Sequence, residues 1–297
     1  MYTNRRSDLL RERLRRPELL VAPGAYDAWS ARLVEQQGFE TVYMSGYAAS
    51  ASVLGVPDLG LIGASEMVDQ LRRMTSATTL PVIADGDTGF GGALNVVRTV
   101  RDYISANAAA IQIEDQVSPK RCGHMEDKQV VDVAEMGERL AAAVEARGQD
   151  SLVIIARTDS RATHGLDEAI RRAAFYRDCG ADVLFVEAPR SLEEIREVAR
   201  ALPGAKLVAN IVEGGKTPYF RTAELQELGF AIALYPVSAL FAATQAVQSA
   251  LGELRRLGRI ETTPVTSFTQ FNGTMGLQQY NDLADRLKAE ATPVSRN

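Results

Sequence analysis

Three carboxylates stand directly after two short apolar runs of this chain. Asp85 and Asp87 follow residues 81–84, and Glu114 follows residues 110–113. If the two runs are neighbouring strands, the acids meet at one edge and repel one another unless a cation lies among them. Oxygen ligands without a nearby His or Cys cluster favour Mg²⁺, or Mn²⁺, over zinc. The spacing therefore predicts a divalent-cation site, and the alternative is a set of ordinary turn residues.

A cysteine lies between basic residues in the segment Lys120-Arg-Cys122-Gly123-His124. Neighbouring cations favour the thiolate and ready proton exchange. The adjacent glycine gives the loop the mobility to close over a substrate. Cys122 is therefore a candidate nucleophile or general acid, and the alternative is an ordinary surface thiol. The other cysteine, Cys179, precedes a strand-like run and is predicted to be a core residue.

Arg157 ends a further apolar run, at residues 152–156. Its planar guanidinium suits bidentate binding of a carboxylate. The alternative is a structural ion pair with Glu187 or Asp159.

The elements that must position these side chains form a regular alternation. Eight β-rich apolar runs recur, at residues 19–22, 41–44, 81–84, 110–113, 152–156, 182–186, 206–209 and 230–234. Segments of helical period lie between most of them, for example at residues 134–147, 166–179, 191–202 and 222–228. Alternating strands and helices predict a parallel sheet, and eight such units favour a closed (β/α)₈ barrel of the TIM type.

A barrel of this kind places its reactive groups just past the C-terminal ends of the strands. Polar residues follow six of the eight runs, beginning with Ser45, Asp85, Glu114, Arg157, Glu187 and Asn210. The pattern indicates a small-molecule site rather than a binding-inert scaffold. We expect residues 1–297 to form a single α/β-barrel domain with an N-terminal helical arm and a C-terminal helical tail.

Composition narrows the function classes further. The chain has 297 residues, 46% of them apolar, and a net charge of −5, which argues against a nucleic-acid-binding surface. Residues 11–16 are interpreted as the solvated basic face of an amphipathic helix. Residues 230–247 are interpreted as a buried strand and helix rather than a membrane span. With no visible signal peptide, the protein is predicted to be cytoplasmic, with no membrane partner.

The sequence resembles the isocitrate lyase/phosphoenolpyruvate mutase superfamily over most of its length, about residues 10–285. The matching motifs are Tyr43-Met-Ser-Gly, Pro57-Asp-Leu-Gly, Asp85-Gly-Asp-Thr-Gly-Phe-Gly, Ile113-Glu-Asp-Gln, Lys120-Arg-Cys-Gly-His, Ala156-Arg-Thr-Asp, Glu187-Ala and Asn210. The resemblance implies a homotetramer of barrels in which the last helix is swapped between subunits.

The resemblance also implies roles for individual residues. It implies Mg²⁺ near Asp85, Asp87 and Glu114, and Cys122 as the acid that protonates a departing enolate, shaped by His124 and Glu187. Residues that would contact the substrate are Ser45, Gly46, Tyr47, Asp58, Gly123, Arg157 and Asn210. Tyr43 or a metal-linked water would be the base that takes the proton of the C2 hydroxyl.

The cysteine motif points to the carbon–carbon lyase branch, which includes the 2,3-dimethylmalate, 2-alkylmalate and 2-methylisocitrate lyases. Phe241 and Phe271 stand where the resemblance places arginines in 2-methylisocitrate lyases, so positive charge is replaced by apolar surface. This favours a 2-substituted malate, a small dicarboxylate with an apolar substituent, cleaved to an α-keto acid and a carboxylate. The alternatives are carboxyphosphonoenolpyruvate phosphonomutase, oxaloacetate decarboxylase and a scaffold that has lost catalysis.

Overall fold

The computed structural model describes residues 5–123, 125, 127–218 and 220–291. Its centre is a closed barrel of eight parallel strands in sequential order. The strands are β1 Leu20–Ala25, β2 Val42–Met44, β3 Val82–Asp85, β4 Ala110–Glu114, β5 Val153–Thr158, β6 Val183–Val186, β7 Leu207–Asn210 and β8 Ile232–Tyr235. All eight predicted strands are present, and the predicted TIM-type barrel is confirmed.

Helices connect the strands and continue beyond the last one. They are α1 Arg5–Arg13, α2 Ala28–Gln36, α3 Gly46–Ala49, α4 Ala64–Ala77, α5 Ala93–Ser105, α6 Val133–Arg147, α7 Ser160–His164, α8 Leu166–Asp178, α9 Leu192–Ala201, α10 Thr222–Glu227, α11 Ser238–Leu257, α12 Phe268–Thr274 and α13 Leu277–Ala291. A short π-helix, Ser50–Leu54, directly follows α3. None of the helices in the described ranges has the length and apolar character needed to span a membrane.

The strands are buried on both faces, and alternate residues serve two separate apolar clusters. One cluster contains Ile83 and Ile155, and the other contains Val82 and Ile154. Because successive side chains of a strand point to opposite faces, the first cluster fills the barrel interior and the second packs under the helices. This alternation decides which later residues of each strand face the interior.

Helix α1 closes the N-terminal end of the barrel. Leu10 and Leu14 belong to the interior cluster, and Leu10 is fully buried. The basic residues around them are not simply solvated, which corrects the sequence-based interpretation. The Arg11 guanidinium donates to both carboxylate oxygens of Asp182 at 3.0 Å, and Arg13 Nε lies 2.6 Å from Glu40. These ion pairs fix the helix across the strand starts.

We expect Leu10→Ala to lower the free energy of unfolding by about 2–5 kcal/mol, because it opens a cavity in the closed end of the barrel. Leu9→Ala is the matched control, since Leu9 lies on the same helix but is 42% exposed. Urea unfolding followed by circular dichroism measures both. Equal effects of the two substitutions would contradict the sealing role of α1.

The chain divides into two compact units, residues up to Phe241 and residues from Ala242 onward. The second unit contains most of α11 together with α12 and α13. Among the described residues of α12 and α13 no side chain is buried, and several apolar ones are well exposed, for example Phe268 at 84%. The single-domain organisation stays a prediction.

Candidate active site

Residues that follow the interior positions of the strands converge at one end of the barrel. Asp85 lies two positions after interior Ile83, Arg157 two after Ile155, and Glu187 two after Phe185. Tyr43 is itself an interior residue, so Ser45, two positions later, also points to the interior. The period of two along a strand therefore points the predicted polar side chains inward, above the apolar interior.

A cavity of about 260 Å³ lies at this end. It is lined by Tyr43, Ser45, Tyr47, Asp58, Asp85, Glu114, Lys120, Arg121, Cys122, Gly123, Met125, Arg157, Asn210, Val212, Glu213, Gly214, Gly215, Pro236, Val237 and Phe241. Three predicted site residues, Gly46, Asp87 and Glu187, stand behind this lining and contact it. His124 lies outside the described residues.

Asp85 is held by three donors at the end of β3. The backbone N–H groups of Gly46 and Asp87 donate to its two oxygens at 3.1 Å each, and Gln112 Nε2 donates at 3.3 Å. A Cβ atom at position 46 would lie 2.9 Å from Asp85 Oδ2, so the close approach of this backbone requires glycine. The side chain of Asp85 is therefore fixed in direction.

Lys120 enters the acidic group from the loop after β4. Its Nζ lies 2.7 Å from Asp58 Oδ1 and 2.8 Å from Asp87 Oδ1, and all three side chains are at most 5% exposed. Burial alone would lower the pKa of Lys120, but Asp87 and Asp58 outweigh burial and raise the pKa well above its usual value. The Lys120 side chain is therefore a fixed cation within the acidic group, a role that the sequence analysis missed.

Negative charge still exceeds positive charge here. Burial raises the pKa of Asp87 to about 6 although Lys120 opposes the shift, and burial raises the pKa of Glu114 well above its usual value against the effect of Arg157. Glu114 Oε1 is buried without a hydrogen-bond partner. A buried carboxylate oxygen with no donor is costly unless a further partner binds there.

Asp85 and Glu114 are oxygen donors that fit a divalent cation. Among the described residues no three Asp, Glu, His or Cys side chains converge into a group that could hold a metal by themselves. Mg²⁺ in proteins commonly takes only one or two carboxylates and completes its shell with water and substrate oxygens. Asp85 and Glu114 line the cavity and offer only oxygen, so they fit such a cation. The full set with Asp87 stays a prediction.

Arg157 pairs with carboxylates of the protein while it lines the cavity. Its Nε and NH2 groups donate to Asp159 at 2.9 and 3.0 Å. Its Nε also lies 3.4 Å from Glu114 Oε2, the residue opposite it in the β4–β5 pairing, and NH1 lies 3.6 Å from Glu187. The ion-pair alternative is thus what the structure contains, and Arg157 is at the same time one of the cavity-lining residues.

Cys122 lies in a loop that packs directly on this arginine. The loop, residues 120–128, is called the Cys122 loop below. Cys122 is half-buried, forms no disulfide and lines the cavity. A Cβ atom on Gly123 would lie 2.2 Å from Arg157 NH2 and 2.8 Å from Glu187 Cγ, so this glycine is required by contact. The backbone next to the cysteine therefore lies beside Arg157 and Glu187.

Tyr43 lies deeper than the other cavity residues. Its hydroxyl donates to Gln112 Oε1 at 3.2 Å, and burial, reinforced by Asp85, raises the pKa of the phenol well above its usual value. The hydroxyl keeps its proton at neutral pH. This favours a role as hydrogen-bond donor over the predicted role as base.

The remaining predicted contacts have structural partners as well. Ser45 caps the N-terminus of α3, and Asn210 Nδ2 donates to both oxygens of Glu187 at 3.3 and 3.4 Å. The ring of Tyr47 packs edge-on against Phe241, with centroids 6.3 Å apart. Both rings line the cavity, which has polar as well as apolar lining residues.

Comparison with curated proteins places the chain among small-acid enzymes. It is 44% identical over 278 residues to the 2,3-dimethylmalate lyase of Eubacterium barkeri, covering 92% of this chain and 95% of that protein. It is 43% identical to the chloroplastic carboxyvinyl-carboxyphosphonate phosphorylmutase of Arabidopsis thaliana, over 90% of this chain and 80% of that protein. It is 43% identical to the 2-methylisocitrate lyase of Bacillus subtilis, over 82% and 79%.

Solved structures agree with this placement. An oxaloacetate acetylhydrolase bound to 3,3-difluorooxalacetate superposes with a TM-score of 0.93 at 35% identity, covering 98% of this chain and 99% of that chain. A 2,3-dimethylmalate lyase, described as a PEP mutase/isocitrate lyase superfamily member, superposes with a TM-score of 0.90 at 39% identity, over 99% and 97%. A phosphonopyruvate hydrolase complex with oxalate and Mg²⁺ superposes with 0.85 at 31%, over 96% and 99%.

The family model for phosphoenolpyruvate phosphomutase matches residues 10–255. That match covers most of the barrel and all the residues that line the cavity. The predicted resemblance is confirmed. The chain belongs to the PEP mutase/isocitrate lyase superfamily.

Proposed function

We propose that this protein is a Mg²⁺-dependent carbon–carbon lyase that cleaves a 2-substituted malate to an α-keto acid and a carboxylate. One observation carries the proposal. A single cavity joins the thiol of Cys122, the guanidinium of Arg157 and the carboxylates of Asp85 and Glu114 with an apolar wall that ends in Phe241. The named lyase relatives support the reaction type.

Asp85 and Glu114, with the predicted participation of Asp87, would hold the cation. When bound, the cation supplies Lewis-acid polarisation of the substrate oxygens. Mn²⁺ has the same preference for oxygen ligands and is expected to substitute. The fixed direction of Asp85 and the unpartnered oxygen of Glu114 support this assignment.

Side chains of the protein bind the substrate and move the protons. Arg157, which lines the cavity, binds and orients a substrate carboxylate. The Tyr43 hydroxyl keeps its proton and donates a hydrogen bond to Gln112, so a group other than Tyr43 takes the proton of the C2 hydroxyl. When the C2–C3 bond breaks, the Cys122 thiol donates its proton to C3 of the departing enolate. A positioned acid of this kind contributes roughly 10²–10⁴-fold.

The apolar wall supports a substrate with an alkyl substituent. The apolar residues of the cavity lining are Met125, Val212, Pro236, Val237 and Phe241. Of the two buried cations of the lining, Lys120 is committed to Asp58 and Asp87, and Arg157 is assigned to one substrate carboxylate. A third substrate carboxylate would lie against hydrocarbon at Phe241, where its desolvation is not compensated.

A substrate panel tests the proposal. With Mg²⁺ the wild type is expected to cleave 2- and 3-alkylmalates and to lose activity with EDTA, and to cleave 2-methylisocitrate poorly. Phe241→Arg is expected to lower kcat/KM for the alkylmalate by about 10–200-fold and to introduce tricarboxylate cleavage. Phe39→Arg is the control, since Phe39 and Phe241 are both 37% exposed and Phe39 lies outside the cavity lining. Strong wild-type cleavage of 2-methylisocitrate would contradict the apolar-wall argument.

A phosphonomutase activity is the second candidate. The run Glu213-Gly214-Gly215 lines the cavity, and the sequence of residues 213–218 resembles the corresponding run of a phosphonomutase. The Arabidopsis relative named as a phosphorylmutase shares 43% identity. Carboxyphosphonoenolpyruvate belongs in the panel with ³¹P detection, and oxaloacetate belongs there to detect decarboxylation or hydrolysis.

The proposed assembly is a cytoplasmic homotetramer with a swapped C-terminal helix. The exposed apolar side chains of α12 and α13 support it, because an apolar helix face of this kind is usually covered by a partner. The partners expected at the active site are small dicarboxylates rather than nucleic acid or membrane.

A further inference from the structure

Lys128 lies in the Cys122 loop, and neither the motifs nor the reaction described above assign it a role. Its side chain is 1% exposed. The ammonium donates to Asp159 Oδ1 at 2.7 Å and to the carbonyl oxygen of Gly123. Because Gly123 is only five residues earlier in the chain, this contact closes the Cys122 loop back on itself. A buried ammonium kept in this place indicates a specific need for charge, since burial of an unpaired one is very costly.

Asp159, the other partner of Lys128, is a fixed anion. It accepts two hydrogen bonds from Arg157, and its own N–H donates to Asp115 Oδ1 at 2.8 Å. Burial would raise the pKa of Asp159, but Arg157 and Lys128 outweigh burial and hold the pKa below its usual value. Asp159 thus links the substrate-binding guanidinium to the loop lysine in one buried network.

Asp115 anchors that network to the barrel wall. Its carboxylate accepts hydrogen bonds from Thr158 Oγ1 at 2.7 Å, Tyr176 Oη at 2.8 Å and Arg172 NH1 at 3.2 Å. The last two residues come from α8, so the frame joins a strand end to an outer helix. These partners of Asp115 thus come from β5 and α8, outside the Cys122 loop.

Gly123 connects the buried network to the proposed acid, because it contacts Lys128 and directly follows Cys122. Its backbone lies so close to Arg157 and Glu187 that a Cβ atom would overlap the guanidinium. The Lys128 contact holds the carbonyl of Gly123 in that position, and Cys122 is the preceding residue. The hydrogen bond from Lys128 therefore holds in place the backbone next to the residue that carries the thiol.

We propose that Lys128 is a positioning residue that fixes the Cys122 loop on Arg157, so that the thiol meets the departing carbon only when Arg157 and Asp159 are correctly placed. The inference rests on the proposed function for its catalytic consequence, but its geometric part concerns the free protein. Without Lys128, Arg157 still binds a carboxylate, so the KM for the substrate changes little. The thiol is misplaced, and displacements near 1 Å cost about 10²-fold in rate.

The kinetic test compares Lys128→Met, Lys128→Arg and Lys128→Ala with the control Lys206→Met. Lys206 precedes β7, at the opposite end of the barrel from the cavity. We expect Lys128→Met to lower kcat for the best alkylmalate about 10²-fold with little change in KM. Lys128→Arg is expected to recover part of kcat because it keeps the charge, and added propylammonium is expected to rescue kcat of Lys128→Ala.

A second readout needs no substrate. In a Cys179→Ala background Cys122 is the only cysteine, so its alkylation by iodoacetamide reports the state of the loop directly. We expect alkylation to become faster in Lys128→Met and to stay unchanged in Lys206→Met, with both proteins folded by circular dichroism. Propylammonium is expected to slow alkylation of Lys128→Ala toward the wild-type rate.

Two results would overturn the inference. One is a Lys128→Met protein with the kcat and alkylation rate of the Lys206→Met control. The other is a fall in kcat with an unchanged alkylation rate and no rescue by propylammonium or arginine, which would mean that Lys128 only supports the fold. Failure of the wild type to cleave any alkylmalate would defeat the proposed function instead, and the alkylation experiment would still decide the role of Lys128.

Discussion

Cys122→Ser is expected to lower kcat for alkylmalate cleavage by about 10²–10⁴-fold, the usual contribution of a positioned general acid. Serine is close to cysteine in size, so the packing of Gly123 on Arg157 and Glu187 is kept. A serine hydroxyl is a far weaker acid than a thiol and cannot deliver the proton to C3 at a comparable rate. Steady-state kinetics with Mg²⁺ measures the loss, and KM is expected to stay near the wild-type value.

Cys179→Ser is the matched control for this prediction. Cys179 is the other cysteine of the chain, is also half-buried and caps the C-terminal end of α8, outside the cavity lining. Its substitution is expected to leave kcat unchanged. Full turnover by Cys122→Ser would remove the cysteine from the proton-transfer step and leave only a shape role for the Cys122 loop.

Arg157→Met is expected to abolish most activity and to destabilise the protein. The guanidinium pairs with Asp159, Glu114 and Glu187, all with side chains at most 2% exposed. Breaking a buried ion pair by removing one partner costs about 3–5 kcal/mol, because uncompensated charge stays buried. Loss of one preorganised electrostatic contact in an active site costs about 10²–10³-fold in kcat. Urea unfolding and steady-state kinetics measure the two effects.

Two further variants separate charge, geometry and stability at this position. Arg157→Lys keeps the charge but loses the planar fork, so we expect stability to recover more than activity. Arg161→Met is the control, since Arg161 lies four residues later, pairs with Glu194 and is 15% exposed. It is expected to leave kcat unchanged. Wild-type activity in Arg157→Met would show that Arg157 only neutralises its protein partners.

The sequence predicted the barrel because strands buried on both faces leave continuous apolar runs. All eight were located to within a few residues, for example 152–156 against β5 Val153–Thr158. The rule that reactive groups follow strand ends then located Asp85, Glu114, Arg157 and Glu187. Strand periodicity also explains why these four side chains point inward.

The loops were less predictable. Lys120 pairs with Asp58 across 62 residues, and Lys128 reaches Asp159 across 31 residues. Such pairs depend on the path of two loops in space, which neither periodicity nor local spacing encodes. The involvement of Asp58 came only from the family resemblance, since Asp58 lies in an irregular segment. The predicted three-carboxylate metal set did not foresee that an ammonium would occupy the space beside Asp87.

Because α1 closes one end of the barrel, it limits how substrate and products enter and leave. Leu10 and Leu14 fill the far end, so the described residues close the barrel interior there, and the cavity lies at the end that carries the Cys122 loop. Substrate therefore enters, and both cleavage products leave, through the same end of the barrel.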